Sequence, residues 1–474
     1  MAAQIDHVVV LMLENRSFDS ILGRLYPDDP TYRGLTLNES NVYAGTPYPV
    51  WHGEGMGTDI ACTPRPDPGE LFTDMDEQLF GLPPKPASPT MGGFAANYAT
   101  QNASSEGPFL PGNVMHYFSA AQVPVISTLA KAFGVCDQWH APAPCQTWPN
   151  RFFAHTGTSL GYVDNHTFPI PFDAPSIFRQ LQDQGETWRV YFHDMPQSGL
   201  LRDVWLYTLF HCKFFSQFLA DAHTGSLPSY SFIEPRYFSD LFLNRIPNDE
   251  HPPHDIGYGE QLIAQVYNAV RSSPCWKSTM LIITYDEHGG CFDHVPPPAA
   301  IPPDGVVNNP YGFRFDRYGV RVPAVIVSPY VPPGSRIKPQ PNPRDGVTYP
   351  FDHTSIIATV RELFMKGAPP LTDRDGNAPS LLNALSLSVP ANDGPQSVEA
   401  GFDEPDAAHV QARSDLPPNG MQRSLSAAAT LLPTSPPVTA DDVSAPTVLP
   451  PSPYATVATA QAVATDRMKL FLSA

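Results

Sequence analysis

The chain begins with "IDHVVVLMLENRSFDS", in which Ile5, Val8, Val9, Val10 and Leu11 form an apolar run that stops abruptly at Glu14, Asn15 and Arg16. A continuous run dominated by β-branched residues predicts a strand buried on both faces, as in a parallel sheet covered by helices. Its polar end has two readings. Either the strand leaves the core for a surface loop, or it delivers Glu14 and Asn15 to a site at its carboxyl end, where open α/β sheets bind ligands. "STMLIITYDEHGG" (278–290) repeats the pattern and also ends in acids. "RVPAVIVSPYV" (321–331), "TWRVYFHDM" (187–195) and "SYSFIEP" (229–235) predict further strands. "IGYGEQLIAQVYNAVRSS" (256–273) and "DHTSIIATVRELFM" (352–365) carry apolar residues at helical spacing. The alternation predicts an α/β fold with a mostly parallel sheet flanked by helices. The aromatic stretch "WLYTLFHCKFFSQFLADA" (205–222) reads as a core helix, with an apolar way in for a lipid as the alternative.

Periodicity fades after about residue 385, where Pro, Ala, Ser and Thr take over. This divides the chain into a body, residues 1–385, and an extension, 386–474, predicted to be extended or partly disordered, with its last twenty residues a candidate helix. The body is long enough to bury a large core. A formal charge of −19 argues against nucleic-acid binding, which needs clustered Lys and Arg. No apolar run reaches membrane-span length, which leaves transient contact with a membrane surface. The amino-terminal stretch lacks a basic n-region, so the protein is expected to be cytoplasmic or exported by a route that reads no amino-terminal signal. Six scattered cysteines suit buried free thiols in a reducing compartment, with one or two disulfides as the alternative. No oligomeric state is read from the sequence.

Chemistry enters at the strand ends. In "TYDEHGGCFDHVPPP", Asp286 and Glu287 would point to opposite faces of an extended strand, but Gly289 and Gly290 let the backbone turn so that both carboxylates converge. Such hard oxygen ligands suit a divalent cation. The plainer reading is a solvated acid pair in a polar turn. In "APAPCQTWPNRFFAHTGTS", Pro149 marks a helix start and puts Thr147 near it, where free N–H groups favour an anion. The plainer reading there is a helix cap. His251, His254, His288, His294 and His353 cluster in the second half; together with an acid pair they suggest acid/base work.

Three blocks, "HVVVLMLENRSFDSILG", "TWPNRFFAHTGTS" and "SPCWKSTMLIITYDEHGGCFDHVPPP", occur in order. On them the chain resembles the bacterial and plant phospholipase C and acid phosphatase family of phosphoesterases, within the alkaline phosphatase superfamily. Weaker matches extend the resemblance from about residue 5 to 365. It implies an alkaline-phosphatase-like fold and one divalent metal ion (Mg, Ca, Mn or Zn) held by Glu14, Asn15, Thr147, Asp286 and Glu287. It further implies that Thr147 attacks phosphorus in line and that water cleaves the resulting phosphoryl-enzyme. His251, His288 and His353 would protonate the leaving oxygen or hold phosphoryl oxygens, while Asn150, Arg151, His254, Asp293 and His294 brace the site or touch substrate. One departure stands out: where many phospholipase members carry a histidine after "DPG", this chain has Glu70, which removes a leaving-group or phosphate contact or assigns it to a carboxylate, and Glu70 joins the residues that brace the site or touch substrate. The implied substrate is a phospholipid or a small phosphoester. Phospholipase C and acid phosphatase both remain open, as does a non-catalytic interaction protein on the same fold. A sulfatase-like esterase is disfavoured, because "CQTWPNR" offers Thr147 rather than Cys or Ser at the nucleophile position.

Overall fold

In the computed structural model, which describes residues 4–55, 58–100, 110–401, 404–433 and 446–473, the first apolar run is the strand β1 (His7–Leu13). Seven further strands join it: β2 (Gly134–Val135), β3 (Trp188–Phe192), β4 (Cys212–Phe214), β5 (Tyr230–Glu234), β6 (Thr279–Tyr285), β7 (Ala324–Val327) and β8 (Ser335–Arg336). Their order is β8-β2-β7-β6-β1-β5-β3-β4. Only β7 runs against its neighbours, so the sheet is mostly parallel, in the α/β architecture the pattern predicts. Val8 to Leu13 have no solvent contact, because helices cover the sheet. The run 321–331 supplies a shorter strand than expected. Pro323 and Pro329 bracket it, and proline cannot donate to a ladder.

β1 is the pivot. It pairs with β5 on one side and β6 on the other, and the chain order reverses around it, which opens a crevice beyond the strand ends. The register with β6 is in step throughout, from His7 opposite Thr279 to Leu13 opposite Tyr285. The next residues of each strand, Glu14 and Asp286, therefore emerge side by side. Among the helices, α1 (Thr147–Thr156), α2 (Arg202–His211), α3 (Phe215–Thr224), α4 (Ile256–Ser272) and α5 (Thr354–Phe364) flank the sheet. Asp255 caps α4, accepting the Gly257 N–H at 2.8 Å.

Two expectations need correcting. The stretch 205–222 is not one core helix, since the edge strand β4 separates α2 from α3. Trp205, Phe215 and Phe218 do join the core, whereas the side chains of 206–210 lie outside the described residues. Among its described residues the extension is not simply an extended arm either. It forms α6 (Ala407–Ser414), α7 (Gly420–Ala429) and α8 (Val457–Ser473), and Met421, Leu425, Ala464 and Phe471 enter the main core. Averaged composition hid this: its prolines lie between the helices, and alanine, the best helix former, fills them. Thr447 and Val448 pair antiparallel with Ile170 and Pro169 of the body. All six cysteines are free. Among the described residues, no helix is long and apolar enough to cross a membrane.

Candidate active site

The end of β1 turns through Asn15, whose φ of 55° lies in the left-handed region that asparagine tolerates better than most residues. The turn lets its backbone N–H donate to Asp286 Oδ1 at 2.9 Å and aims its carboxamide into the crevice. The loop after β6 closes over it. Gly289 has φ +57°, and a Cβ there would collide with the Asn15 carbonyl and sit 2.6 Å from the Asn15 Cβ. Only glycine fits, so the pair that follows β6 folds onto Asn15 rather than into solvent. Asp286 and Glu287 are completely buried, which removes the reading of a solvated pair.

Thr147 is the first residue of α1, behind the N-cap Gln146. Its hydroxyl is not spent on a backbone N–H, as a cap's would be, but lies 3.5 Å from Glu14 Oε2 and 3.4 Å from Asn15 Oδ1. One turn on, Arg151 points the same way, as residues four apart do on a helix. Its guanidinium meets Glu14 at 2.7 Å, Asp286 at 3.8 Å and Glu234 at 3.9 Å. Gln197 donates to the same Glu14 Oε1, also at 2.7 Å. Asn150 lies apart; its amide closes the loop before α1 on Ala143, Cys145 and Gln146.

The histidines divide. His251 Nδ1–H donates to the Pro252 carbonyl at 2.6 Å, which leaves Nε2 facing the Asn15 amide at 3.0 Å and Glu70 at 3.3 Å. Glu70 accepts from that same Asn15 amide, so the residue that departs from the family pattern stands within the site. His288 Nε2–H donates to Gln78 Oε1 at 2.8 Å, the Gln78 amide nitrogen being used by Gly69 and Asn97. Its Nδ1 sits 3.3 Å from Glu287. His353 Nε2–H donates to the Asp286 carbonyl at 2.6 Å, and Trp139 donates to its Nδ1 at 3.1 Å, so both ring nitrogens are occupied. Burial keeps all three rings neutral, pushing His251 down to about 4 and His288 and His353 to about 3. His254 stands at 2.7 Å from Asp249, whose carbonyl accepts the Glu14 N–H. Asp293 and His294 belong to a different cluster, in which Arg321 bonds Asp293 and Asp19 at 3.0 Å and His294 bonds Asp19 at 2.6 Å. They clamp the loop beyond Gly290 to the start of the chain.

The electrostatics are lopsided. Burial pushes the carboxyls of Glu14 and Glu70 well above their usual range, Glu287 to about 8 and Asp286 to about 6, with Arg151 pulling Glu14 and Asp286 back. Asp286 Oδ2 and Glu287 Oε1 are buried with no hydrogen-bond partner, a costly state for carboxylate oxygens. Oxygen donors in such excess over cationic side chains fit a divalent cation. Among the described residues, two groups bring three ligand atoms within 4.8 Å of one another: Asp67, Glu70 and His251 beside the site, and Asp19, Asp293 and His294, where Arg321 already supplies the positive charge. Sequence reasoning missed Gln197, Glu234 and Asp67. Glu234 had a signal, since it ends an apolar strand as Glu14 does; Gln197 had none.

The Phosphoesterase family model matches residues 5–365. The chain is 40% identical over 381 residues to non-specific phospholipase C1 of Arabidopsis thaliana, across 78% of this chain and 68% of that protein. It is 28% identical over 444 residues to phospholipase C A of Mycobacterium tuberculosis, across 82% and 78% of the two chains. Among solved structures, a protein of the alkaline phosphatase superfamily from Vibrio parahaemolyticus aligns over 80% of this chain and 71% of its own, at 10% identity and a TM-score of 0.37, too distant to transfer any residue.

Proposed function

The chain belongs to the Phosphoesterase family, hydrolases of phosphoester bonds, and on that premise we propose that it is a metal-dependent phospholipase of the C type. What carries the reading is the burial of Glu14, Asn15, Asp286 and Glu287 at the adjoining ends of β1 and β6, with the Thr147 hydroxyl against Glu14 and Asn15 and two carboxylate oxygens left without a hydrogen bond. Those five residues would hold one divalent cation, which when bound lowers the pKa of a ligating hydroxyl and offsets charge developing on phosphoryl oxygens. Thr147 Oγ1, its proton released to water, forms the bond to phosphorus as the bond from phosphorus to the leaving oxygen breaks, aided by its place at the amino end of α1, where the helix favours an anionic oxygen. The leaving alcohol takes its proton from the Glu70 carboxyl, whose protonated form burial favours and which stands 3.3 Å from the unprotonated Nε2 of His251. His353 and His288 act through others: one holds the Asp286 carbonyl, the other stands against Glu287. Water then cleaves the phosphothreonine.

The substrate choice is tested by comparing p-nitrophenylphosphorylcholine with p-nitrophenyl phosphate, after chelation and after adding back Mg, Ca, Mn or Zn. The diester is expected to have the higher kcat/KM by at least about tenfold, a difference of about 1.4 kcal/mol in transition-state binding. A preference for the monoester makes the protein an acid phosphatase instead.

The cation reading has a test that needs no turnover. In the metal-free fold Asp286 and Glu287 keep protons up to about pH 6 and 8 respectively, whereas unfolded carboxyls release theirs near pH 4. The fold thus binds more protons than the unfolded chain in that window and loses stability as pH rises through it. Chelated protein is therefore expected to have a lower Tm at pH 8.5 than at 6.5, and added cation to raise Tm more at the higher pH. Glu260, also raised to about 8 by burial, adds the same slope with or without cation, so the cation-dependent difference isolates the site. The buried histidines add no slope above pH 6.5. A cation effect on Tm that is absent, or the same at both pH values, counts against the site.

A further inference from the structure

The chain leaves β5 at Glu234, beside Arg151, and regains the site at Asp249, whose carbonyl accepts the Glu14 N–H at 2.8 Å. The loop between these points is held at two places. The Arg236 N–H donates to the Asn248 side chain, and Asn248 N–H returns to the Arg236 carbonyl at 3.0 Å. Further out, Asp240 and Arg245 exchange both backbone bonds, at 2.8 and 2.9 Å, and the Asp240 carboxylate accepts the Leu243 N–H at 2.9 Å. This braced turn presents Leu241, Phe242 and Leu243 to solvent, with 45, 95 and 58% of their surface exposed. Phe214 at the neighbouring sheet edge is also exposed, and a largely apolar cavity of about 630 Å³ opens behind the tip, against α8.

Single exposed apolar residues are ordinary, but three in succession on a turn tied twice do nothing for folding and invite a partner. The charge around them says which kind. The chain carries −19, yet the tip has no charge, and the groups behind it come in both signs and nearly offset one another: Arg236, Arg245 and Lys469 against Asp194, Asp240, Glu404 and Asp466. An uncharged tip backed by nearly offsetting charges, with no excess of cations, suits a zwitterionic surface rather than a polyanion. We infer that Leu241, Phe242 and Leu243 insert into a zwitterionic phospholipid surface and seat the catalytic edge of the sheet against it, as aromatic and aliphatic side chains do at the acyl boundary. The inference rests on the phospholipase reading for its partner.

The test is co-sedimentation of the full chain with phosphatidylcholine vesicles, for wild type, Phe242→Asp and a Leu241→Asp/Leu243→Asp pair, alongside turnover of soluble p-nitrophenylphosphorylcholine. Vesicle affinity is expected to fall at least tenfold in both variants while soluble turnover is unchanged. In Phe242→Trp, the added tryptophan emission is expected to shift to the blue when vesicles are added. Equal binding by all three proteins overturns the inference. So does a wild type that ignores vesicles but dissociates from dimer to monomer on Phe242→Asp, which would make a second copy the occupant. Vesicle binding lost in the variants, in a protein that cleaves neither soluble ester, upholds the surface and removes the phospholipase.

Discussion

Thr147→Ala is expected to lower kcat on p-nitrophenylphosphorylcholine by at least about a thousandfold while leaving the protein folded. The two halves of that expectation come from different observations. The hydroxyl is wholly buried, and its contacts to Glu14 and Asn15, at 3.5 and 3.4 Å, are at the long limit of hydrogen bonding. Deleting it therefore removes little stabilisation, and the N-cap, Gln146, is untouched. If Thr147 served the helix end, alanine would cost about 1 kcal/mol of stability and spare turnover. If it is the nucleophile, the pattern reverses: Tm holds and turnover disappears. Thr147→Ser keeps the hydroxyl and should retain measurable activity. Turnover in the alanine variant within tenfold of wild type would remove Thr147 from the chemistry.

What the sequence made visible follows from one physical fact. A strand buried on both faces reads as an unbroken apolar run, so the residue at which the run stops marks the sheet edge. Glu14 and Asp286 could be located that way, and the in-step pairing of β1 with β6 is what places them side by side. Glu234 obeyed the same rule and was overlooked, because one acid followed by proline resembles an ordinary turn. Histidine roles were hidden for a different reason. Whether a ring acts on substrate or braces a carbonyl depends on which partners take its two nitrogens. For His353 those partners are Trp139 and the Asp286 carbonyl, both far along the chain. That Glu70, standing where the family carries a histidine, faces Asn15 and His251 could likewise be read only from contacts. In the extension, composition was the wrong measure. Segregation of its prolines from its alanines, rather than their totals, decides whether helices form.

Arg151→Met should produce the largest loss of stability of any single change at the site, about 3–5 kcal/mol in chelated protein. Burial alone would push the guanidinium's pKa down, but Glu14, Asp286 and Glu234 hold it up, so it stays charged inside the fold. Methionine fills much of the same volume, so the loss would be one of charge rather than of packing. Without Arg151 the carboxyl oxygens of Glu14 and Asp286 lose their counter-charge, and they can answer in two ways. They can take up protons, so the variant should recover stability as pH falls from 8 to 6, more steeply than wild type. They can also take up a cation, so added divalent metal should raise Tm further in the variant than in the wild type. Both responses are read from thermal melts in chelator and in metal across that pH range. A variant that loses less than about 1 kcal/mol, with the same metal increment as wild type, would mean that Arg151 does not balance these carboxylates. Their charge would then have to be met by their own protonation, and the case for a cation held between Glu14 and Asp286 would weaken with it.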